Sequence, residues 1–281
     1  MSVLKVTLAA LAVACLLAGC SALRLAYDNA AMYVKYRAGH YLDVRGAQDH
    51  ELAERIDSFF AWHREAALPE YARIAEEAAV RVGKGLSRED LVWGYDSLVA
   101  HARLSLRAAA QRIAPLLDRL TPEQVAYMEK GFAEDNRKFA RESLRGSEGD
   151  RRKRRAQRVE ERLEDWVGNL SQAQVERVRQ YSERAPLYDE LRDRERRRLQ
   201  AEVLGMVRAR QARERLPERA AHWELGRDPA HARASAAHRQ ELYALLLDLD
   251  RSLTPAQRAR AQERLRRYAE DFAVLARAKS Q

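Results

Sequence analysis

The amino-acid sequence predicts an all-α fold, a multi-helix bundle of long amphipathic helices joined by short capped turns. Apolar residues recur with helical spacing along most of the chain, whereas the strict alternation typical of a half-buried β-strand is nearly absent. Ser or Thr followed three residues later by Gln or Asp precedes several of these stretches, which is the pattern of a helix N-terminus. With 281 residues, 46% of them hydrophobic, the chain is long enough for one large or two modest domains.

The first 20 residues have the composition of a secretory signal. A single Lys5 precedes an apolar run over residues 6–17, which is shorter than the ~20 residues that span a bilayer, and small residues follow it. The run ends in Leu17-Ala18-Gly19-Cys20, which resembles a bacterial lipobox. The resemblance implies diacylation of the Cys20 thiol, cleavage before Cys20, and acylation of the new N-terminus, with palmitate among the attached chains. An ordinary signal peptide, cut near the same place, is the alternative.

Position 21 is Ser rather than Asp, which resembles the signal that sorts Gram-negative lipoproteins to the inner face of the outer membrane. We therefore expect a lipid-anchored periplasmic protein of the bacterial cell envelope. Residues 1–19 would be removed as the signal peptide, and Cys15 would leave with them. Because Cys20 would carry lipid, no thiol would remain for a disulfide, a metal or a nucleophile.

The chain carries a formal net charge of +9, from 51 Lys and Arg against 42 Asp and Glu. Outside the cytoplasm nucleic acid is not the natural partner of such a surface, so we expect none. Phospholipid headgroups and other envelope components are the available anions. The expected partners are the membrane, through the lipid anchor, and an envelope protein. The sequence leaves the oligomeric state open.

Helix boundaries can be predicted from capping residues and prolines. Apolar residues over 52–74 follow one helical face, and we expect a kink or break at Pro69. A second helix begins at Ser87, because Ser87 and Asp90 can form a capping box, and it runs towards a break near Pro115.

Three later segments begin with the same device, a Leu followed by Ser or Thr at the N-cap and Gln at N3. The hydroxyl can accept a hydrogen bond from the N3 amide while the Gln side chain returns to the N-cap amide. The segments are Leu120-Thr121-Pro122-Glu123-Gln124, Leu170-Ser171-Gln172-Ala173-Gln174 and Leu253-Thr254-Pro255-Ala256-Gln257. The last follows a leucine-rich helical stretch at 242–249, so we expect an antiparallel helical hairpin at the C-terminus.

Two glycines and polar neighbours at 145–150 predict a loop. This loop would divide the mature chain into an N-terminal helical half, residues 20–144, and a C-terminal helical half, residues 151–281. We expect the two halves to pack together. From Pro186, charges of alternating sign predict a long helix with a salt-bridged surface.

Aromatic and basic clusters are the candidates for an interaction site. A Trp at a helix crossing and basic residues on a solvated helix start are the commoner structural explanations of such clusters. The candidates are Trp62, Arg64, Arg151, Arg152, Arg154, Arg155, Trp166 and Trp223.

The sequence contains no recognisable catalytic motif. His-Glu-x-x-His, a phosphate-cradling glycine loop and Gly-x-Ser-x-Gly are all missing. His231 and His238 share a helical face, but two His without a nearby carboxylate rarely hold a metal tightly. We therefore expect no catalytic residue, metal or cofactor, and predict a binding, scaffold or chaperone-like module. The alternative is an envelope enzyme acting on peptidoglycan or lipid, with His63 and carboxylates meeting in a cleft.

Short motifs spread along the chain add a resemblance to a known family. They are Arg24-Leu25-Ala26-Tyr27-Asp28-Asn29-Ala30, Trp62-His63-Arg64-Glu65 with Leu68-Pro69-Glu70-Tyr71, and Asp165-Trp166-Val167-Gly168-Asn169-Leu170. With the lipobox, they resemble an uncharacterised family of proteobacterial lipoproteins, catalogued as a domain of unknown function. The resemblance runs from about residue 17 to the C-terminus and implies an all-helical envelope lipoprotein, without an activity. The repeated Leu-Thr-x-x-Gln segment more weakly resembles Spy-type periplasmic chaperones.

Overall fold

The structure is a computed structural model that describes residues 22–278, and all regular elements in this range are helical. The all-α prediction is therefore confirmed. A π-helical turn spans His63–Ala67, between two of the α-helices. The α-helices are α1 (Ala22–Asp28), α2 (Ala30–Leu42), α3 (Ala47–Trp62), α4 (Leu68–Lys84), α5 (Arg88–Leu117), α6 (Pro122–Ser143), α7 (Glu148–Val167), α8 (Gln172–Arg184), α9 (Asp189–Arg208), α10 (Ala212–Ala221), α11 (Pro229–Ser252) and α12 (Pro255–Arg277).

Two predictions concern the N-terminal segment. The signal peptide at 1–19 and the acylation of Cys20 lie outside the described residues. Among the helices from residue 22 to residue 278, none combines the length and the apolar character that crossing a bilayer requires.

The predicted capping boxes form. Ser87, Thr121, Ser171 and Thr254 each accept a hydrogen bond from the backbone N–H three residues on, and the side chain at that position accepts from the N-cap N–H. A further box at Ser147, with Asp150 at N3, was not predicted. It starts α7 inside the predicted 145–150 loop, so the connection between α6 and α7 consists only of residues 144–147.

A kink or break was expected at Pro69, and the structure has a π-helical turn just before it rather than a break in the helix. Proline lacks an N–H, and its ring crowds the carbonyl group four residues earlier. The chain meets both constraints with the π-helical turn that precedes α4, in which the Leu68 N–H donates to the His63 carbonyl group. Helical structure therefore continues from α3 to α4. The break predicted near Pro115 is found, because α5 passes through Pro115 and ends two residues after it.

The C-terminal hairpin prediction is wrong. Instead of packing along α11, helix α12 packs along α4, and α11 packs against α8. Small buried residues on α4, Ala75 and Ala79, allow the close approach of α12, whose Gln262 side chain donates to the Ala79 carbonyl group. The turn residues at 251–253 favoured a hairpin, but they do not determine which helix the apolar face of α12 packs against.

Two clusters of buried residues form the core of the described chain. The first joins Leu52 and Ile56 of α3 with residues such as Leu204 and Val207 of α9. Helices on both sides of the 144–147 connection therefore share one core, while the division into two halves stays a prediction. The second cluster joins α7, α8 and α11. Its members are Ala156, Val178, Tyr181, Ala185, Leu245 and Leu249.

Candidate functional site

Two neighbouring pockets lie beside the second core cluster. The first, here the cationic pocket, has a volume of about 460 Å³ and lies among α7, α9 and the end of α8. The second, here the apolar pocket, has a volume of about 550 Å³ and lies between α7 and α11. Arg158, Val159 and Tyr181 line both, so the pockets adjoin at these three residues. Both volumes fall in the roughly 300–1,000 Å³ range of small-molecule sites.

Helix α7 supplies most of the positive charge of the cationic pocket. Arg151, Arg154, Arg155 and Arg158 line it, because residues three, four and seven positions apart share a face of a helix. Arg192 of α9 adds a fifth guanidinium group. Only two acidic residues, Glu142 and Asp189, are among the lining side chains. The pocket is therefore positively charged.

The lining arginines differ in how far their charge is neutralised. Arg151 forms an ion pair with Glu190, and Arg192 pairs with Asp189 at 2.8 Å. Arg158 is exposed, and no hydrogen bond or ion pair of its side chain occurs within residues 22–278. It is therefore the guanidinium group best able to accept an anion from solution.

Arg152 and Arg155 cap the C-terminal end of α8. Arg152 donates to the Ser182 carbonyl group at 2.9 Å, and Arg155 donates to the carbonyl groups of Ala185 at 2.7 Å and Pro186 at 3.0 Å. The last carbonyl groups of a helix lack intrahelical partners and carry partial negative charge, so guanidinium groups suit them. Burial lowers the pKa of Arg155, because the carbonyl groups solvate its charge less well than water.

Aromatic and imidazole rings form another wall of the cationic pocket. The Tyr181 hydroxyl lies 3.1 Å from Nε2 of His238, and the Tyr188 ring lies 5.2 Å from the His238 ring. Burial lowers the pKa of His238, and the nearby Arg155 charge adds to the effect. The Tyr188 ring also meets His231, so the two histidines share the predicted helical face. Within the described range, His, Asp and Glu residues form no group of three that could hold a metal ion.

The apolar pocket is lined by leucines of α11 and by the continuation of the same face of α7. Its residues include Leu242, Leu246, Leu249, Val159, Leu163 and Trp166. Trp166 meets the Tyr268 ring edge to face at 5.9 Å, and the Arg264 guanidinium group lies 5.2 Å from the indole. The indole is thus held as a fixed wall of the pocket.

The remaining predicted interaction residues contact neighbouring segments of the described chain. Arg64 pairs with Asp28 at 3.1 Å and lies over the Tyr27 ring at 4.9 Å. Arg112 lies over the Trp62 ring at 5.6 Å. Trp223 packs beneath Arg103, which also binds the neighbouring Glu224. These contacts fit the structural explanation given for Trp clusters above.

The structure therefore gathers part of the predicted set. Arg151, Arg154 and Arg155 line the cationic pocket and Trp166 lines the apolar pocket, whereas Arg152 caps α8. Trp62, Arg64 and Trp223 line neither pocket.

Several residues that line the two pockets were not among the predicted interaction candidates. They are Arg158, Val159, Leu163, Tyr181, His238 and Leu246. One signal was available: along α7 the face that carries the arginines becomes apolar from Val159 onward. Tyr181 and His238 had no such signal, because only the packing of α8 and α11 brings them together.

The chain belongs to the family of unknown function DUF6279. The match covers residues 40–223, more than half of the chain, and it includes the arginines of α7 and the whole of α8 and α9. The prediction that the chain belongs to a family without an assigned function is therefore confirmed. No curated protein and no solved structure matches the chain.

Proposed function

We propose that this protein is a periplasmic lipoprotein, tethered through Cys20 at the inner face of the outer membrane, that acts as a binding or scaffold module rather than as an enzyme. The observation that carries the binding role is the pair of adjoining pockets. A recess with an apolar wall and a few converging polar groups is the usual form of a ligand site. Exposed Arg158 and the leucines of α11 supply these two parts.

The segment that follows Cys20 supports a position next to a membrane. Helix α1 begins at Ala22, and two residues of chain span at most about 7 Å, so a lipid on Cys20 would be attached close to this helix. Large apolar side chains are exposed in α1 and α2, which suits contact with a membrane surface, while the basic Lys35 and Arg37 beside them pair with Asp49 and Asp135. The apolar side chains are Leu25, Met32, Tyr33 and Tyr36, each more than 60% exposed.

Helix α1 is also fastened to the rest of the chain. Arg24 forms an ion pair with Asp271 of α12, and the Tyr27 hydroxyl lies 2.8 Å from Nδ1 of His63. Arg64 adds the contact to Asp28 described above. A lipid on Cys20 would therefore hold the folded body, and the two pockets with it, close to the membrane.

The surroundings of His63 favour binding over the predicted catalytic use of this residue. Its ring packs against the rings of Tyr27, Phe59 and Tyr71, and burial lowers its pKa. Its Nδ1 is hydrogen-bonded to the Tyr27 hydroxyl. Burial raises the pKa of Tyr27 to about 12. His63 thus serves as a packing residue.

The enzyme alternative has one observation in its favour, the convergence of His238 with Tyr181 and Tyr188 in the cationic pocket. Peptidoglycan fragments or phospholipids incubated with the protein would test it. Turnover that His238→Gln abolishes, with ligand affinity unchanged, would establish the enzyme and refute the proposal.

The anchor is tested by substitution of Cys20. Cys20→Ala should abolish fatty-acid labelling and release the protein from membranes, whereas Cys15→Ala, in the removed signal, should leave both unchanged. Membrane association of the Cys20→Ala protein would show that the chain is anchored elsewhere.

The binding role is tested by photo-crosslinking in cells with partner identification. A photoreactive residue replaces Arg162 or Leu246 at the apolar pocket, or Arg213 on the exposed surface of α10 as a control. We expect adducts of one defined mass from the two pocket positions and none from position 213. Absence of pocket-specific adducts, with the protein at its normal level, would refute the role.

A further inference from the structure

We propose that the two adjoining pockets bind one single-chain anionic amphiphile, with its carboxylate or phosphate in the cationic pocket and its acyl chain in the apolar pocket. This inference rests on the proposed binding function and names the class of ligand. It follows from three properties of the site: an excess of positive charge, an apolar recess, and a shared boundary on α7.

The cationic pocket supplies the partner for an anionic head. Five arginines and two acidic residues line it, and Arg158 has no ion-pair partner among the described residues. Arg155 is committed to carbonyl groups, which cannot neutralise its charge. An anion in the pocket would therefore complete charge-assisted hydrogen bonds that the folded chain leaves open.

The apolar pocket supplies the partner for a hydrocarbon chain. Leucines of α11 face Val159, Leu163 and Trp166 of α7 across it. Apolar walls of this kind gain affinity from each methylene group removed from water, about fourfold per group. A peptide would leave its backbone amides without partners against such walls, whereas an acyl chain has no polar groups to satisfy.

Helix α7 sets the two pockets in line. Its arginine face from Arg151 to Arg158 lines the cationic pocket, and the same side from Val159 to Trp166 lines the apolar pocket. At 1.5 Å per residue the distance along the helix from Arg151 to Trp166 is about 22 Å, which suits a head and an extended long acyl chain. One molecule can therefore occupy both pockets.

Trp166 provides a direct readout, because a bromine atom quenches an indole only at close range. The protein used comprises residues 20–281 and carries Cys20→Ala, so that no covalent acyl chain competes. Brominated palmitate should quench part of the tryptophan fluorescence, since the sequence has four Trp and only Trp166 lines the apolar pocket. Trp166→Phe should remove the quenching.

Substitutions separate the head from the chain. Arg158→Gln should weaken binding by up to about fivefold, the upper end of the effect of one exposed charge, whereas Arg213→Gln removes an exposed arginine outside both pockets and should change nothing. Leu246→Glu places a carboxylate on the apolar wall and should abolish quenching. Circular dichroism and the melting temperature show whether each variant is folded, and Arg158→Gln keeps the test valid if Leu246→Glu does not fold.

Competing probes identify the head. Palmitate and palmitoyl lysophosphatidylglycerol compare a free fatty acid with a phospholipid source of the same chemistry, and the tighter competitor identifies the source. Monopalmitoylglycerol, which is uncharged, should compete at least fivefold more weakly than either. Inorganic phosphate should compete only at far higher concentration, because it lacks the chain.

The results distinguish this inference from the proposed function. The proposed anionic amphiphile would be refuted if monopalmitoylglycerol competed as well as palmitate and Arg158→Gln had no effect. It would also be refuted if inorganic phosphate competed as well as palmitate. Absence of quenching while photo-crosslinking from Leu246 captures a protein would overturn the ligand class and leave the binding function intact. Absence of both would refute the two together.

Discussion

Gln174 joins two helix N-termini, and its substitution should cost far more than the loss of an ordinary surface side chain. It is 1% exposed and occupies the N3 position of α8, where its Oε1 accepts from the Ser171 N–H at 2.9 Å. Its Nε2 lies 3.1 Å from Oε1 of Gln257, the N3 residue of α12, and the Gln257 amide donates back at 3.1 Å. The two capping boxes are thus linked by a reciprocal amide pair.

The cost of Gln174→Met follows from these contacts. Loss of the cap interaction costs about 1 kcal/mol, and the buried groups left without a partner on Gln257 and Ser252 add about 1–3 kcal/mol. We therefore expect the free energy of unfolding to fall by about 2–4 kcal/mol. At about 2–4 °C per kcal/mol for a chain of this size, the melting temperature should fall by about 5–15 °C.

Urea and thermal unfolding of Gln174→Met, Gln257→Met and the double variant would measure this effect. Gln172→Met, two residues earlier in the same turn and exposed, is the matched control and should change stability by less than about 0.5 kcal/mol. A double-mutant cycle should give a coupling free energy of about 1 kcal/mol between the two glutamines. Strict additivity, or equal effects at 172 and 174, would refute the linked capping boxes.

Two further predictions concern buried charge. Burial lowers the pKa values of His63 and His238, so the unfolded chain binds protons first as the pH falls below 6.5, and stability should fall between about pH 7 and pH 5. Equal urea midpoints at these two pH values, or an unchanged pH slope in His238→Gln, would contradict this expectation. Arg152→Met should lower the free energy of unfolding by about 1–2 kcal/mol, because its contacts to the end of α8 are lost. Lys153 is exposed, so Lys153→Met should change the free energy of unfolding by less than about 0.5 kcal/mol. Equal urea midpoints for the two variants would contradict the capping role of Arg152.

The helix starts could be predicted because their determinants are local. A hydroxyl and a Gln or Asp three residues later satisfy free amides wherever the helix packs, so Ser87, Thr121, Ser171 and Thr254 were found from sequence alone. Ser147 carries the same signal but was missed, because the glycines around it also fit a loop. The competition between these two signals was decided by the Asp150 side chain, which accepts from the Ser147 N–H.

Helix partners could not be predicted in the same way. The apolar stripe of α12 fits many partner faces, and nearness in sequence favoured α11. The small residues of α4 allow a closer approach, but a helix-packing surface of alanines carries little signal in a chain this rich in them. The candidate site depends on such pairings, because α11 must pack beside α7 and α8 before His238 can reach Tyr181.

The basic run at 151–155 illustrates why composition alone cannot separate a solvated helix start from a binding patch. Lys153 is exposed and fits the first explanation, while Arg152 and Arg155 serve as caps for a helix about 30 residues further along the chain. Their partners depend on where α8 ends, which the run itself does not encode. Once those carbonyl groups are occupied, the surplus charge lies at Arg158, outside the run, beside an apolar recess. If this part of α7 were only a solvated helix surface, water rather than an apolar recess would lie next to Arg158. Arg158 lines both the cationic pocket and the apolar pocket. An anionic head joined to a hydrocarbon chain fits both pockets, whereas a simple anion fits only the first, so the site favours a single amphiphile.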